Sequence, residues 1–373
     1  MSTHCGPRQR LKSLDLLRLL LCLLVMTTHA RRIFGIGIPV WFTKGIFDGK
    51  AGVVLFFVLS GYVLTKSLAR TAFSWESYQQ FIIKRAFRLF PLYWIALGLT
   101  LIVLLWLKQD AAGLVDDEHL QFLAQTGPDW RQWFLHLLLL VPGMNSDFAL
   151  PTVWSLMTEA KVSMLAFPLF GWLILRLPLN GAAATVALLV LGSDFLYTHI
   201  LGTAAFLGIF GLGALLARVP DHIWHRIPAT IWRSLLAIGG GLYACMSLRY
   251  LLPSVWIGYY LCALGATLII ACVSHWPTLS LRMHALHSVF GADLSYGIYL
   301  LHYPVLLIFF RLSTGHSSPA SFLCALLAMV ITIALAWLLA HAVELPMIKL
   351  GRRLAHRSDS PSADCHAVRD FSS

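Results

Sequence analysis

Apolar residues fall in long runs along this chain, separated by short polar stretches. Ten runs approach the twenty or so residues an α-helix needs to cross a bilayer. They cover roughly 14–34, 52–69, 88–107, 154–175, 182–200, 203–218, 232–250, 256–274, 289–311 and 319–343. The run at 203–218 is short and glycine-rich, and Trp133 to Val141 reads as a further short or re-entrant element. The pattern predicts an all-α, polytopic integral membrane protein of about ten spans, without an internal repeat. Residues 1–12 form a polar N-terminal tail, 13–350 the membrane domain, and 351–373 a basic to polar tail expected to be disordered. No fused soluble domain is expected at either end.

Composition agrees with this class. Hydrophobic residues make up 58% of the 373 and charged residues only 12%, about half the charged share of a soluble domain. The formal net charge of +11 suggests nucleic acid at first sight. However, the basic residues sit in short loops between apolar runs, so no soluble basic domain remains and nucleic-acid binding is excluded. With the N-terminus cytoplasmic, the inner loops and tails hold eighteen Lys and Arg and the outer loops eight, which is the bias that orients membrane proteins. Both termini are therefore predicted to be cytoplasmic. The acidic stretch Asp110, Asp116, Asp117, Glu118 and Asp129 falls outside, where it carries little weight in this bias. The first run is too long and too polar-faced for a cleaved signal peptide. The seven cysteines are scattered singly, without metal-ligand spacing or a disulfide framework, and no metal site is expected.

The chemistry worth following begins in the first span, Leu14 to Ala30. Arg18 and His29 are eleven positions apart, about 1100° of helical rotation, so their side chains share a face roughly 16 Å apart along the axis. An arginine and a histidine on one face of a membrane helix are costly unless they line a polar cavity, a path or a reaction centre. The plainer alternative is that Arg18 snorkels to a headgroup and His29 marks the far interface. In the second span, Ser60 and Gly61 suit close helix packing, or Ser60 supplies a hydroxyl to a cavity. Lys84, Arg85 and Arg88 precede Pro91 at the inner face, as a lipid anchor or, with Arg85 and Arg88 on nearly one helix side, as a phosphate clamp. Glu159 lies about two turns inside the fourth span with Lys161 nearby. A buried carboxylate needs a partner, and Arg18 and His29 are the candidates. Tyr296, Tyr299 and His302 share the ninth span before Pro304; tyrosines there read as interface belt and His302 as structural. Glu344-Leu-Pro346 reads as a helix stop.

Taken together, these residues resemble acyltransferase family 3, the multi-pass membrane O-acyltransferases that modify bacterial surface and secreted glycans. Arg18 and His29 match its Arg-x10-His element. Phe56-Phe57-Val58-Leu59-Ser60-Gly61-Tyr62 matches its Phe-Phe-x-x-Ser-Gly-Tyr element, and Arg85, Arg88 and Pro91 match the basic segment opening the third span. Trp154-Ser155-Leu156 with Glu159, then Ser295 through His302 and Glu344-Leu-Pro346, match later elements, so the resemblance runs from about 13 to 350. The chain departs from the pattern at Leu19 (usually Gly), Val54 (often Asp) and Ser163 (commonly Tyr).

The resemblance implies an O-acyltransferase, with acetyl the family's commonest group, in the bacterial cytoplasmic membrane. The donor would be a cytoplasmic acyl-coenzyme A, a substrate rather than a resident cofactor. It would be held by Arg85 and Arg88, with Ser60 and Tyr62 on the same donor-binding side and Arg18 steering. His29 would be the general base or a transient acyl carrier, with Glu159 orienting it. The acceptor would be a sugar hydroxyl on a lipid-linked or growing polysaccharide. A transporter of a small acid or glycan, or a structural subunit, are the readings from other classes.

Overall fold

A computed structural model describes residues 7–37, 48–108, 130–140, 152–200, 202–290, 294–313 and 318–357. The acidic stretch from Asp110 to Asp129 and the tail Ser358–Ser373 lie outside them. The described residues form helices joined by turns, with no strand among them. In order they are α1 (Pro7–Ile33), α2 (Gly49–Leu68), α3 (Trp75–Lys108), α4 (Trp130–Leu138), α5 (Val153–Arg176) and α6 (Leu179–Leu191). After these come α7 (Leu207–Arg218), α8 (Ala229–Ala244), α9 (Val255–His275), α10 (Pro277–Phe290), α11 (Ser295–Ser313), α12 (Ser318–Leu339) and α13 (Leu345–Arg357). Among the described residues, eight helical segments are long and apolar enough to cross a membrane, and the shorter apolar helices Leu179–Leu191 and Ala204–Arg218 fall in the other two predicted runs. Large side chains such as Ile102, Leu188, Leu323 and Trp337 are exposed on the outside of the bundle, where lipid rather than water suits them. The chain is an all-α, multi-pass membrane protein.

Helix bounds differ from the sequence expectation in four places. α1 begins at Pro7, inside the supposed tail of 1–12. α3 begins at Trp75, far ahead of 88, and runs through Pro91; at about 1.5 Å per residue it is roughly 50 Å long, more than a hydrocarbon core requires. α10 was not expected, because Arg282 and the polar residues Ser280, His284, His287 and Ser288 interrupt its apolar pattern; it is fixed to α1 where the Ser13 hydroxyl donates to the Ser280 carbonyl at 2.9 Å. Finally, Glu344-Leu-Pro346 is no stop. A π-helical turn, Ala340–Glu344, precedes α13. The wider turn relieves the clash and missing donor that proline imposes, and Pro346 sits in the first turn of the helix that follows, where it is tolerated. Residues 351–357, expected to be disordered, are therefore helical.

Glycines set the closest contacts in the bundle. A Cβ on Gly61 of α2 would overlap the Phe210 carbonyl oxygen of α7, and one on Gly213 of α7 would overlap the Val58 carbonyl oxygen of α2. The two backbones thus approach each other through reciprocal small residues, the usual way helices pack without a hydrophobic drive between them. α1 lies against α2, with Leu21, Leu24 and Val25 around Gly52 and Thr28 beside Gly49. Asp48 caps α2 by accepting from the Lys50 amide at 2.8 Å. It also pairs with Arg249 at 2.7 Å, tying the α1–α2 connection to the α8–α9 connection at one end of the bundle. At the other end, Gly351 of α13 packs on Phe87 of α3, so the last described helix shares that end with the start of α1.

Candidate active site

A cavity of about 150 Å³ opens between α1, α2, α3, α5 and α11. That volume is room for about ten waters, or for the end of a slender chain. Its polar lining comes from one turn of each helix: Arg18 and Cys22 of α1, Ser60 of α2, Arg85 and Arg88 of α3, Ser155 and Glu159 of α5, and Ser295, Tyr296 and Tyr299 of α11. Val53, Phe56, Phe57, Val63, Leu64, Leu89 and Leu156 complete the wall. Helical spacing explains the sets: Arg18 and Cys22 are four apart, as are Phe56 and Ser60, and Ser155 and Glu159, so each pair projects from one face.

Glu159 is the hinge of the polar network. Its Oε1 accepts from Arg85 Nη2 at 2.9 Å and from the Ser60 hydroxyl at 3.3 Å. Arg85 Nε also donates to the Ser163 hydroxyl at 2.8 Å. Ser163 belongs to a π-helical turn, Val162–Ala166, directly after the turn that carries Glu159, a local widening often found at functional sites. Arg18 pairs with Asp15, one turn back on its own helix, at 2.8 Å. The Tyr299 hydroxyl shares a short hydrogen bond with Ser155, and the Tyr296 hydroxyl donates to the Leu89 carbonyl at 2.7 Å. Arg88 is exposed and lines the cavity, with no hydrogen bond or ion pair among the described residues. Three guanidinium groups against Glu159, with Asp15 paired to Arg18, leave the cavity an excess of positive charge. In a partly desolvated site such an excess attracts an anion.

Arg18 and His29 do share a face, and that face meets α11. Arg18 lies beside Ser295, Tyr296 and Tyr299 in the cavity. His29, farther along α1, packs its ring 5.3 Å from His302 and 5.6 Å from Tyr303. His29 is thus not among the residues lining the cavity, and His302 beside it lies 6.1 Å from Tyr299 of the cavity wall. Glu159 is given to Arg85, not to Arg18 or His29, which were the partners expected for it. Tyr62 also lies elsewhere: it is buried, with its hydroxyl 3.4 Å from His275 Nε2 and its ring 5.9 Å from the Lys66 ammonium. The structure therefore brings Arg18, Ser60, Arg85, Arg88 and Glu159 together, and leaves His29 beyond them and Tyr62 apart.

Several residues at the site were passed over in the sequence. Asp15 had a usable signal, the three-residue spacing to Arg18. Ser163 stood out only as a departure from the family pattern, and it is the hydroxyl that holds Arg85. Tyr296 and Tyr299 looked like interface belt because aromatic residues near a span end are common there; nothing in the sequence points them inward.

Comparison with known proteins agrees with this arrangement. The family model described as an acyltransferase domain (acyltransferase family 3) matches residues 11–341, nearly the whole chain. A Bacillus subtilis (strain 168) protein, YrhL, named as a peptidoglycan O-acetyltransferase, is 25% identical over 356 residues, covering 87% of this chain and 54% of that protein. The chain therefore spans about half the length of that relative. Nodulation protein 10 of Rhizobium leguminosarum bv. viciae is 26% identical over 377 residues, covering 92% of this chain and 95% of its own. No solved structure matches the chain significantly. With its domain matched almost end to end and the family's arginines and Glu159 gathered around one cavity, the chain belongs to acyltransferase family 3.

Proposed function

We propose that this protein is a membrane O-acetyltransferase of the bacterial cytoplasmic membrane, moving an acetyl group from acetyl-coenzyme A to a hydroxyl of a surface or exported glycan. The observation that carries the proposal is the positively charged cavity between α1, α2, α3, α5 and α11, set on the same face of α1 as His29. The basic bias of the loops supports cytoplasmic termini, and with them a cavity in the inner half of the bundle. The name of the Bacillus relative supports acetyl as the group and a cell-wall glycan as the class of acceptor.

In this reading Arg88, which has no hydrogen bond or ion pair among the described residues, takes a phosphate of the donor as it enters from the cytoplasm. Arg85 stays pre-oriented by Glu159 and Ser163 and adds a second donor group. The thioester lies at the end of the donor's long flexible arm, which reaches past Cys22 and Tyr299 toward His29. The acceptor hydroxyl arrives from the outer side. Its oxygen attacks the thioester carbonyl carbon as the carbon–sulfur bond breaks. His29 takes the hydroxyl proton and returns it to the departing coenzyme A sulfur, so a thioester is exchanged for an ester. Histidine suits this role because a neutral ring accepts a proton and an imidazolium returns it. Glu159 serves Arg85 in this scheme rather than His29.

The test uses protein purified into nanodiscs with labelled acetyl-coenzyme A, following coenzyme A release and label on a glycan acceptor. We expect His29→Ala to lose about 10²- to 10⁴-fold in turnover. Arg88→Ala should raise the donor KM about tenfold, the loss of one charge-assisted contact of about 1.4 kcal/mol. A His29→Ala protein that turns over like wild type would sink the proposal, and transported substrate without coenzyme A release would favour a transporter.

A further inference from the structure

His302 was expected to be a structural histidine, and its surroundings argue otherwise. It is fully buried in α11. Its Nδ1 lies 2.9 Å from the Ile298 carbonyl oxygen, one turn back. A carbonyl only accepts, so Nδ1 carries the proton of that bond, and as a neutral ring His302 keeps a lone pair on Nε2. That Nε2 is buried and has no hydrogen-bond partner among the described residues. Buried polar atoms are nearly always bonded, so an acceptor left open needs a reason. The neighbouring ring that bears on the proposed chemistry is His29, at 5.3 Å between centroids and tilted by 40°. Two imidazoles joined by an N–H···N bond of about 3 Å have centroids about 5 Å apart, so the spacing already suits such a bond. The rings are tilted by 40° and His29 is only partly buried, so the bond requires the His29 ring to turn.

We propose that His302 is the positioning residue for His29. In the reacting state its Nε2 accepts a hydrogen bond from a ring N–H of His29. This fixes the tautomer in which the other nitrogen of His29 presents its lone pair to the acceptor hydroxyl. The inference rests on the reading of His29 as the base. It supplies the orienting group that such a base requires, and which Glu159, held by Arg85, does not provide. A neutral ring does this work in place of a carboxylate. The orienting bond therefore adds no further charge to the membrane interior, where a carboxylate would be expensive.

Two substitutions separate positioning from packing. His302→Gln keeps an acceptor oxygen where Nε2 stands, whereas His302→Phe keeps the ring volume and removes the acceptor. We expect His302→Phe to lose about 10²-fold in kcat with the donor KM unchanged, and His302→Gln to stay within about fivefold of wild type. A packing role predicts the reverse order, because phenylalanine fills the site better than glutamine. If His302→Phe does not fold, His302→Leu carries the same comparison. A readout independent of turnover is the ¹⁵N shift of the His29 ring, assigned by its loss in His29→Gln. It should move in the variant without the acceptor and return in His302→Gln. An unmoved His29 signal, or phenylalanine performing as well as glutamine, overturns the inference while leaving His29 as the base. An active His29→Ala instead overturns the proposed function.

Discussion

Arg85 and Glu159 hold each other at 2.9 Å with side chains 15% and 29% exposed, between the surface regime, where a pair contributes little, and the fully buried one. Their value lies in what breaking them would leave behind. Glu159→Gln keeps the shape and strands the Arg85 charge in a narrow cavity, so we expect a loss of about 1–3 kcal/mol, read as a lower midpoint of thermal unfolding in nanodiscs. Ser163→Ala removes one neutral acceptor from the same guanidinium and should cost about 0.5–1.5 kcal/mol. Because both changes act on Arg85, the double variant should cost less or more than the sum. Additive losses would show that Ser163 and Glu159 do not share it.

Among the elements, the α2–α7 contact is the least forgiving. Gly61→Ala drives a methyl group into the Phe210 carbonyl and Gly213→Ala does the same at Val58. Backbone atoms cannot rotate away, so the helices must separate, and each change should cost more than the 1–3 kcal/mol typical of an overpacked core. The expected outcome is poor recovery of monodisperse protein after detergent extraction. Gly98→Ala in α3 is the control, since nothing lies within 4 Å of its added Cβ; it should be neutral or slightly stabilising, as alanine favours helix over glycine. Separation of α2 from α7 would also displace Ser60, one residue from Gly61, from Glu159. Activity should therefore fall with the packing even in whatever protein folds.

For the whole molecule, the pairing of Asp48 with Arg249 and of Ser13 with Ser280 assigns connections to opposite ends of the bundle. The basic bias predicts which end is cytoplasmic. A cysteine at Tyr250, 69% exposed, in a cysteine-free protein should react with a membrane-impermeant maleimide in intact spheroplasts. One at Arg70, exposed between α2 and α3, should react only after permeabilisation. The reverse pattern would turn the molecule over and place the arginine cavity on the outer side, against cytoplasmic donor entry.

The sequence by itself determined the class, the approximate positions of the apolar helices and the shared face of Arg18 and His29. Each follows from local physics: a hydrocarbon layer demands apolar runs of a certain length, and a helix repeats every 3.6 residues. Local rules were weakest at helix ends, where the π-helical turn before Pro346 and the polar start of α3 carried helices past their apolar limits. Tertiary structure alone decided the pairings. Glu159 meets Arg85 and Ser60 across 74 and 99 residues, and Tyr62 meets His275 across 213. Such partners are chosen by which helices pack side by side and at what height, and a periodic pattern records only which face each helix turns inward. For the same reason His302 looked inert in the sequence. Only the packing of α1 on α11 sets its ring beside His29.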